Sequence, residues 1–272
     1  MLRPYRHALI VLLSLTLVGS VPAQVSEDVN GHGTIDWSDQ VVRATGISVQ
    51  GGVGGRAGQI RAAELDALRQ ILETVKGIRV NSETTVEEYM LSSDRIQSRI
   101  EGVAKNFQRA GDPVYKPDGS IELTVEMNMA GPGQLYAEVF TNGNSTAGSL
   151  YGTSTNLGSG VYTGLIIDAR GLGIRPALAP SILDQQNQII YGERYVERQW
   201  LVQQGMVEYA RDLATARAND RVGSNPLVIK AVDATGANRT DVVVSSDNAR
   251  LLHAVEKHLT FLHQARVVFI VD

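Results

Sequence analysis

The chain has 272 residues, 43% of them hydrophobic and 20% charged, with a net charge of −4 and no cysteine. An acidic balance argues against nucleic acid, which asks for a basic surface. The lack of cysteine excludes disulfides, a thiolate zinc site and a lipid-acylated N-terminal cysteine, so stability must come from packed cores.

The first element predicted is not part of a domain. Residues 1–23 begin with Arg3, Arg6 and His7 and continue with an apolar run from Ala8 to Val18. They close on Val21-Pro22-Ala23, with small residues at −3 and −1. This is the anatomy of a secretory signal peptide with cleavage near Ala23. Arg3 and Arg6 are not adjacent, which does not support a twin-arginine signal. No later apolar run reaches about 18 residues, so no transmembrane segment is expected in the mature chain. Its roughly 250 residues suit one or two domains.

Residues 24–36 are polar and Gly-rich and read as an N-terminal tail. "TIDWSDQVVRATGISVQ" (34–50) reads as one or two strands with a wet face, broken by "GGVGGRAG" (51–58). "QIRAAELDALRQILETVK" (59–76) is the clearest helix. Ile60, Leu65, Leu68, Ile71, Leu72 and Val75 fall within an arc of roughly 140°, and Gly77 follows Lys76 as a stop signal. "TTVEEYML" favours strand by its β-branched residues. "RIQSRIEGV" and "SIELTVEMNM" (120–129) alternate and form a long antiparallel hairpin, with "KPDG" (116–119) as a turn before the latter. Residues 37–129 are thus predicted as one α+β domain.

Residues 130–161 are dominated by Gly, Ser, Thr and Asn, without Lys or Arg, and read as a flexible linker, in which "QLYAEVF" can pair locally. A second α+β domain follows at 162–272. Its predicted strands are "YTGLIIDARG", "PSILD", "NQIIYG" and the terminal "ARVVFIVD", the last apolar throughout and so central. Residues 195–217 read as helical with a break near Gly205. "NPLVIKAVDATGANRTDVVVSS" is a hairpin around "DATGAN", and "DNARLLHAVEKHLTFL" a helix capped by Ser246 or Asp247. The fold expected is two small α+β domains, each with helix packed on a mostly antiparallel sheet.

Several constellations invite a chemical reading. Asp28, Asn30, His32, Thr34, Asp36 and Asp39, with Gly33 at the sharp turn, fall at EF-hand spacing. His32 offers nitrogen where a hard cation wants oxygen, no helix precedes, and "QVVRATGISVQGG" behind it is not a helix, so a tail leading into a strand is the favoured reading. Gly52-x-Gly54-x-x-Ala57, with Glu83 as a ribose acid, imitates a dinucleotide fingerprint. The strand before it alternates and the strands after it pair as a hairpin, against a parallel crossover fold. His253, His258 and His263 recur every five residues. That spacing turns about 140° per step, so no two share a face as a zinc pair would. Glu87 and Glu88 read as charges beside an edge strand. Asp168 and Arg170 read as an ion pair at a strand end. No catalytic residue, cofactor site or metal site is assigned.

The run "RAAELDALRQILETVKGIRVNSETTVEEYMLSSDRIQSRIEGVAKNFQ" with "DGSIELTVEMNM" resembles the Lpp-twenty lipoprotein family of bacterial envelopes. It is similar in plan to the N-terminal domain of flagellar assembly protein T. The likeness covers about residues 37–129, and "YTGLIIDARGLGIRPALAPSILD" is similar to a companion segment of longer members. It implies a non-enzymatic cell-envelope protein, an assembly or structural factor, in some cases tied to motility. Its implied partners are envelope or flagellar proteins, with self-association open. The chain departs from the pattern in lacking the lipobox cysteine. Expected localisation is therefore periplasmic or secreted, or peripheral at the outer membrane. The alternative is a calcium- or small-ligand-binding exported module, or a hydrolase whose motif the sequence does not display.

Overall fold

The computed structural model describes residues 24–51, 54–140, 162–254 and 260–272. Residues 1–23, read above as a signal peptide, and most of residues 130–161 lie outside them. The chain is α+β, in two lobes.

The first lobe contains β1 (Ser26–Val29), β2 (Gly33–Asp36), β3 (Val41–Ser48), α1 (Gly55–Lys76), α2 (Val86–Leu91), α3 (Asp94–Ala104), β4 (Gln108–Arg109), β5 (Val114–Tyr115), β6 (Ile121–Asn128) and α4 (Leu135–Val139). Its sheet runs β1-β2-β3-β6-β4, with β5 also on β6, and all pairings are antiparallel. Helix α1 covers one face. The packing is set by small residues. A Cβ on Gly46 would stand 2.1 Å from the Ala63 carbonyl and 2.2 Å from the Ala67 amide nitrogen. Strand and helix therefore meet backbone to backbone, as an isolated glycine inside a strand pattern allows. Ala63, Ala67, Ile71, Thr74 and Val75 are buried while Leu65 is 53% exposed. The helix has turned toward its alanines, away from the centre of the predicted apolar arc. The opposite face of the sheet is wet. Thr45 and Thr124 share a 2.9 Å hydrogen bond there, and Arg43 pairs with Glu126 at 3.3 Å.

Several expectations for this lobe are corrected. Residues 24–36 are not a tail but the β1–β2 hairpin. Asn30 (φ 53°) and Gly31 (φ 72°) turn it, with the His32 amide donating to Val29 O at 2.9 Å. Positive φ at both central residues is what Asn-Gly supplies. Val25, Val29, Ile35 and Trp37 are buried beneath it. "TTVEEYML" is not a strand: Thr85 and Glu88 form a capping box that starts α2. "RIQSRIEGV" is α3, burying Ile100, Val103 and Ala104. Ile96 and Ile100 satisfy alternation and i, i+4 spacing alike, so this short run fitted both periods. The "KPDG" turn exists, with Gly119 at φ 80°, but it joins two-residue β5 to β6. Residues 135–140 are not linker: Leu135, Tyr136, Val139 and Phe140 are buried on and beside α4.

The second lobe contains β7 (Gly164–Asp168), β8 (Ile182–Leu183), β9 (Ile189–Tyr191), a 3-10 turn (Glu193–Tyr195), α5 (Arg198–Gln204), β10 (Glu208–Ala210), α6 (Leu213–Ala218), β11 (Pro226–Thr235), β12 (Asp241–Val244), α7 (Ser246–Ala254), α8 (Thr260–His263) and β13 (Val267–Ile270). The sheet order is β10-β13-β7-β11-β12-β8-β9. Only β11–β12 and β8–β9 pair antiparallel; β10–β13, β13–β7, β7–β11 and β12–β8 are parallel. The mostly antiparallel expectation thus holds for the first sheet alone. Leu165, Ile166 and Ile167, like Val267 to Ile270, are buried on both faces of their strands. Continuous burial of this kind is the signature of parallel strands with helices above and below. The predicted 195–217 helix is also interrupted by β10.

One apolar core runs through both lobes, from Val25 and Trp37 through Tyr136 and Tyr209 to Phe269 and Val271. A smaller cluster, with Ile166, Ala216, Val222 and Val268, fills the far face of the second sheet. Among the described residues no helix is long and apolar enough to cross a membrane.

Candidate functional site

The polar groups that could do chemistry gather along the seam between the lobes. Its centre is an arginine between two apolar residues, Ile78-Arg79-Val80. The backbone here is stitched to the second lobe: Leu178 N donates to Arg79 O at 3.0 Å and Ala179 N to Val80 O at 2.7 Å. The Arg79 side chain is buried. Its Nε donates to Pro176 O at 2.9 Å, and its two Nη atoms fork onto the Glu27 carboxylate of β1. Burial pushes the Glu27 carboxyl up, but the bonds and charge of Arg79, with Arg175 behind, hold it below its ordinary range. Beside this fork the Trp37 and Tyr209 rings meet edge to face at 5.7 Å. The Tyr209 hydroxyl donates to Ala177 O and accepts from Ala177 N, both at 2.9 Å. Gly205, at φ 70°, leaves room for the Tyr136 ring, which a Cβ would approach to 2.7 Å.

The larger of two clefts along the seam has a volume of about 540 Å³. The loop 81–84 of the first lobe forms one wall. It is held by the Asn81 Oδ1, which accepts from Glu83 N and Thr84 N at 2.9 and 3.0 Å. Asn238 donates to Ser82 O and Asn81 O. Ser181, Gly192, Glu193, Arg194 and Asp241 form the other wall. Asp241 is buried and accepts from Ser181 N at 2.9 Å. Burial raises its carboxyl despite the hydrogen bonds it receives, and burial alone raises Glu193. The cleft is therefore rich in acceptors and hydroxyls. Neither Ser82 nor Ser181 has a histidine or lysine among the residues lining it.

The smaller cleft, about 370 Å³, brings Ser38, Asp39 and Gln40 of the first lobe against Trp200, Gln204, Glu208, Asn219, Asp220, Arg221 and Arg266 of the second. Arg221 has a side chain only 4% exposed, 3.5 Å from Glu208. Its Nη2 donates to Gln204 O, which also accepts from Gln40 Nε2 at 2.8 Å. Asn219 Nδ2 takes the other Glu208 oxygen. Burial raises Glu208 and, with the charge of Asp36, raises Asp39.

Of the residues singled out from sequence, Asp28, His32, Gly33 and Thr34 line one pocket together with Arg43, and the rest are scattered. Asp28 and Asp36 lie on opposite strands of the first hairpin. Asp28 accepts from Gly31 N at 2.8 Å, while Asp36 is buried against Arg43 at 3.2 Å and accepts from Ser38 N and Asp39 N. His32 Nδ1 lies 2.7 Å from Gln70 Oε1, and Asp39 lines the smaller cleft. Asn30 sits in the hairpin turn, and Gly33 and Thr34 open β2. Among the described residues no group of three His, Asp or Glu could hold a metal ion. Gly54 precedes α1 with φ 99°, and Ala57 lies in that helix; Gly52 is outside the described residues. Glu83 lies in the larger cleft rather than beside that loop. His253 and His263 stand on different helices, His263 Nδ1 donating to Tyr195 O at 2.8 Å, and His258 is outside the described residues. Glu87 and Glu88 are not edge-strand charges; they occupy the first turn of α2, where acids are favoured. Asp168 and Arg170 do pair, at 2.6 Å, and the hydrogen bonds from Arg170 hold the Asp168 carboxyl down.

Arg79, Glu27, Glu208, Arg221 and Asp241 were not foreseen. The one available signal was an arginine inside the apolar run "GIRV", since a charge there must find a partner.

Residues 164–272, from the first residue of β7 to Asp272, match a family model described as the second domain of Treponema pallidum Tp0624. No curated protein matches the chain.

Proposed function

We propose that the protein is a non-enzymatic, exported cell-envelope protein that acts by binding, as an assembly or structural factor of an envelope complex, with the flagellum among the candidates. The observation that carries this reading is the seam. Ion pairs within each lobe flank it, Arg79 with Glu27 in the first and Arg221 with Glu208 in the second. Hydrogen bonds from Arg79 to Pro176 O and from Gln40 to Gln204 O, with the Arg175–Glu27 pair at 3.5 Å, join the two lobes around one core, an arrangement suited to presenting a fixed surface. The basic-then-apolar leader and the likeness of residues 37–129 to envelope proteins supply the compartment. Crosslinking in cells followed by mass spectrometry tests it. Envelope or flagellar proteins should be recovered with the chain; recovery of cytoplasmic partners alone contradicts the proposal. A second reading, binding of a small polar ligand, is favoured by the 540 Å³ cleft and its acceptor-rich walls.

A further inference from the structure

The wet face of the first sheet can be mapped row by row from the strand register, because partners across a ladder point to the same side. Arg43, Glu126 and Gln108 form one row, and Thr45 and Thr124 the next. Ile47, Glu122 and Val114 form the third. Ile47 and Val114 are each 52% exposed, and Val49, one alternation beyond Ile47, is 78% exposed. They are three of the eight large apolar side chains exposed among the described residues, and they share one end of this face. Single exposed aliphatics are ordinary, whereas a group with a polar surround marks a contact surface.

The charges on the face say what it contacts. A face of one sign would repel a copy of itself. Here the signs interleave: Arg43 lies beside Glu126 at 3.3 Å, and Lys116 beside Glu122 at 2.8 Å. A two-fold axis running along the strands, midway between β3 and β6, exchanges these two strands and keeps each row at its own level. Arg43 of each copy then lies over Glu126 of the other, and Thr45 over Thr124. Ile47 lies over the aliphatic stem of Glu122, between Ile47 and Val114 of the second copy. No two like charges are superposed.

We propose that this face is the contact surface of a homodimer, two copies stacked sheet on sheet about this axis. Such a contact is isologous, and face-to-face sheets pack about 10 Å apart. Strands β3 and β6 have eight residues each. At about 3.4 Å per residue and about 4.8 Å between strands, four strands present a footprint of roughly 500 Å² on each copy. The total of about 1,000 Å² is at the lower limit of a specific interface, so the dimer is weak and reversible.

The test uses the chain from Gln24 to Asp272, as cleavage near Ala23 would leave it. Sedimentation equilibrium from about 1 to 300 μM should show monomer and dimer in exchange. Ile47→Lys and Val49→Lys should each weaken association at least about tenfold. Neither should alter the melting temperature of the dilute monomer, because both side chains already face water. Leu91→Lys, at an exposed site on α2, should leave association unchanged. The chain has no cysteine, so one introduced thiol reports its own position. A short bismaleimide should capture a dimer of Thr45→Cys but not of Leu65→Cys, which lies on α1 across the sheet. The proposal is overturned if the chain stays monomeric over this range, or if Ile47→Lys associates as the parent does. It is overturned equally if Leu65→Cys is captured as readily as Thr45→Cys. An envelope protein captured at position 45 of a monomeric chain would give the face to that partner and also overturn it, while supporting the assembly reading. The two readings therefore fail independently.

Discussion

The two lobes reach the same core by opposite packing rules. In the first, an antiparallel sheet turns one face to water and the other to α1, and small residues decide the contact: Gly46 against Ala63 and Ala67. In the second, β7 and β13 are buried on both faces and bulky aliphatic residues decide it. The comparison teaches that close approach and volume filling are alternative routes to burial. The first tolerates no added atom and the second no removed one.

Substitutions can break this contrast, and the largest effect is expected in the second lobe. Ile167→Ala, a fully buried residue of β7, should lower the unfolding free energy by about 4 kcal/mol in a denaturant titration. Gly46→Val should do comparable damage in the first lobe by overpacking, about 3 kcal/mol, and adding Ala63→Gly should not relieve it, because the new Cβ meets helix backbone rather than the Ala63 side chain. Arg79→Met attacks what the lobes share. It leaves Glu27 without its forked partner at the seam and should destabilise by about 3 kcal/mol. Tyr209→Phe, which strips two hydrogen bonds from Ala177, should remove about 1 kcal/mol.

The smallest expected effects are those of pH. The Glu27 carboxyl sits below its ordinary value of 4.5, so the folded state binds fewer protons than the unfolded chain. Its contribution is complete above about pH 4.5 and is lost as pH falls through the folded value. Asp241, raised above its ordinary 3.8, acts oppositely: the folded state gains stability as pH falls through its folded value toward 3.8. Stability measured against pH should therefore lose part of its acid arm in Arg79→Met, the part that Asp168 and other depressed carboxyls do not supply, and part of its gain on mild acidification in Asp241→Asn.

Long periodic segments were legible in the sequence. Helix α1, strand β6 and the β11–β12 hairpin each repeat their period enough times to exclude the alternative. Helices α2 and α3 were not, because β-branched Thr and Val outweighed a capping box in one and alternation coincided with helical spacing in the other. The parallel order of the second sheet depends on pairings across the chain, which local pattern does not carry. The seam was the least legible part. Glu27, Tyr209, Arg221 and Asp241 have ordinary neighbours and acquire meaning only when the lobes close. Gly46 inside a strand and Arg79 inside an apolar run were the two local hints, each a residue that its surroundings do not favour.

The central claim is that two differently packed lobes fold as one unit around one core. Native-state hydrogen exchange under increasing denaturant tests it most directly. Amides of β3 and β6 should converge on the same opening free energy as those of β7 and β13, and Gly46→Val should lower all four together. If β7 and β13 stay protected while β3 and β6 open, or if Gly46→Val weakens only the first lobe, the shared core does not couple the lobes and the account is wrong.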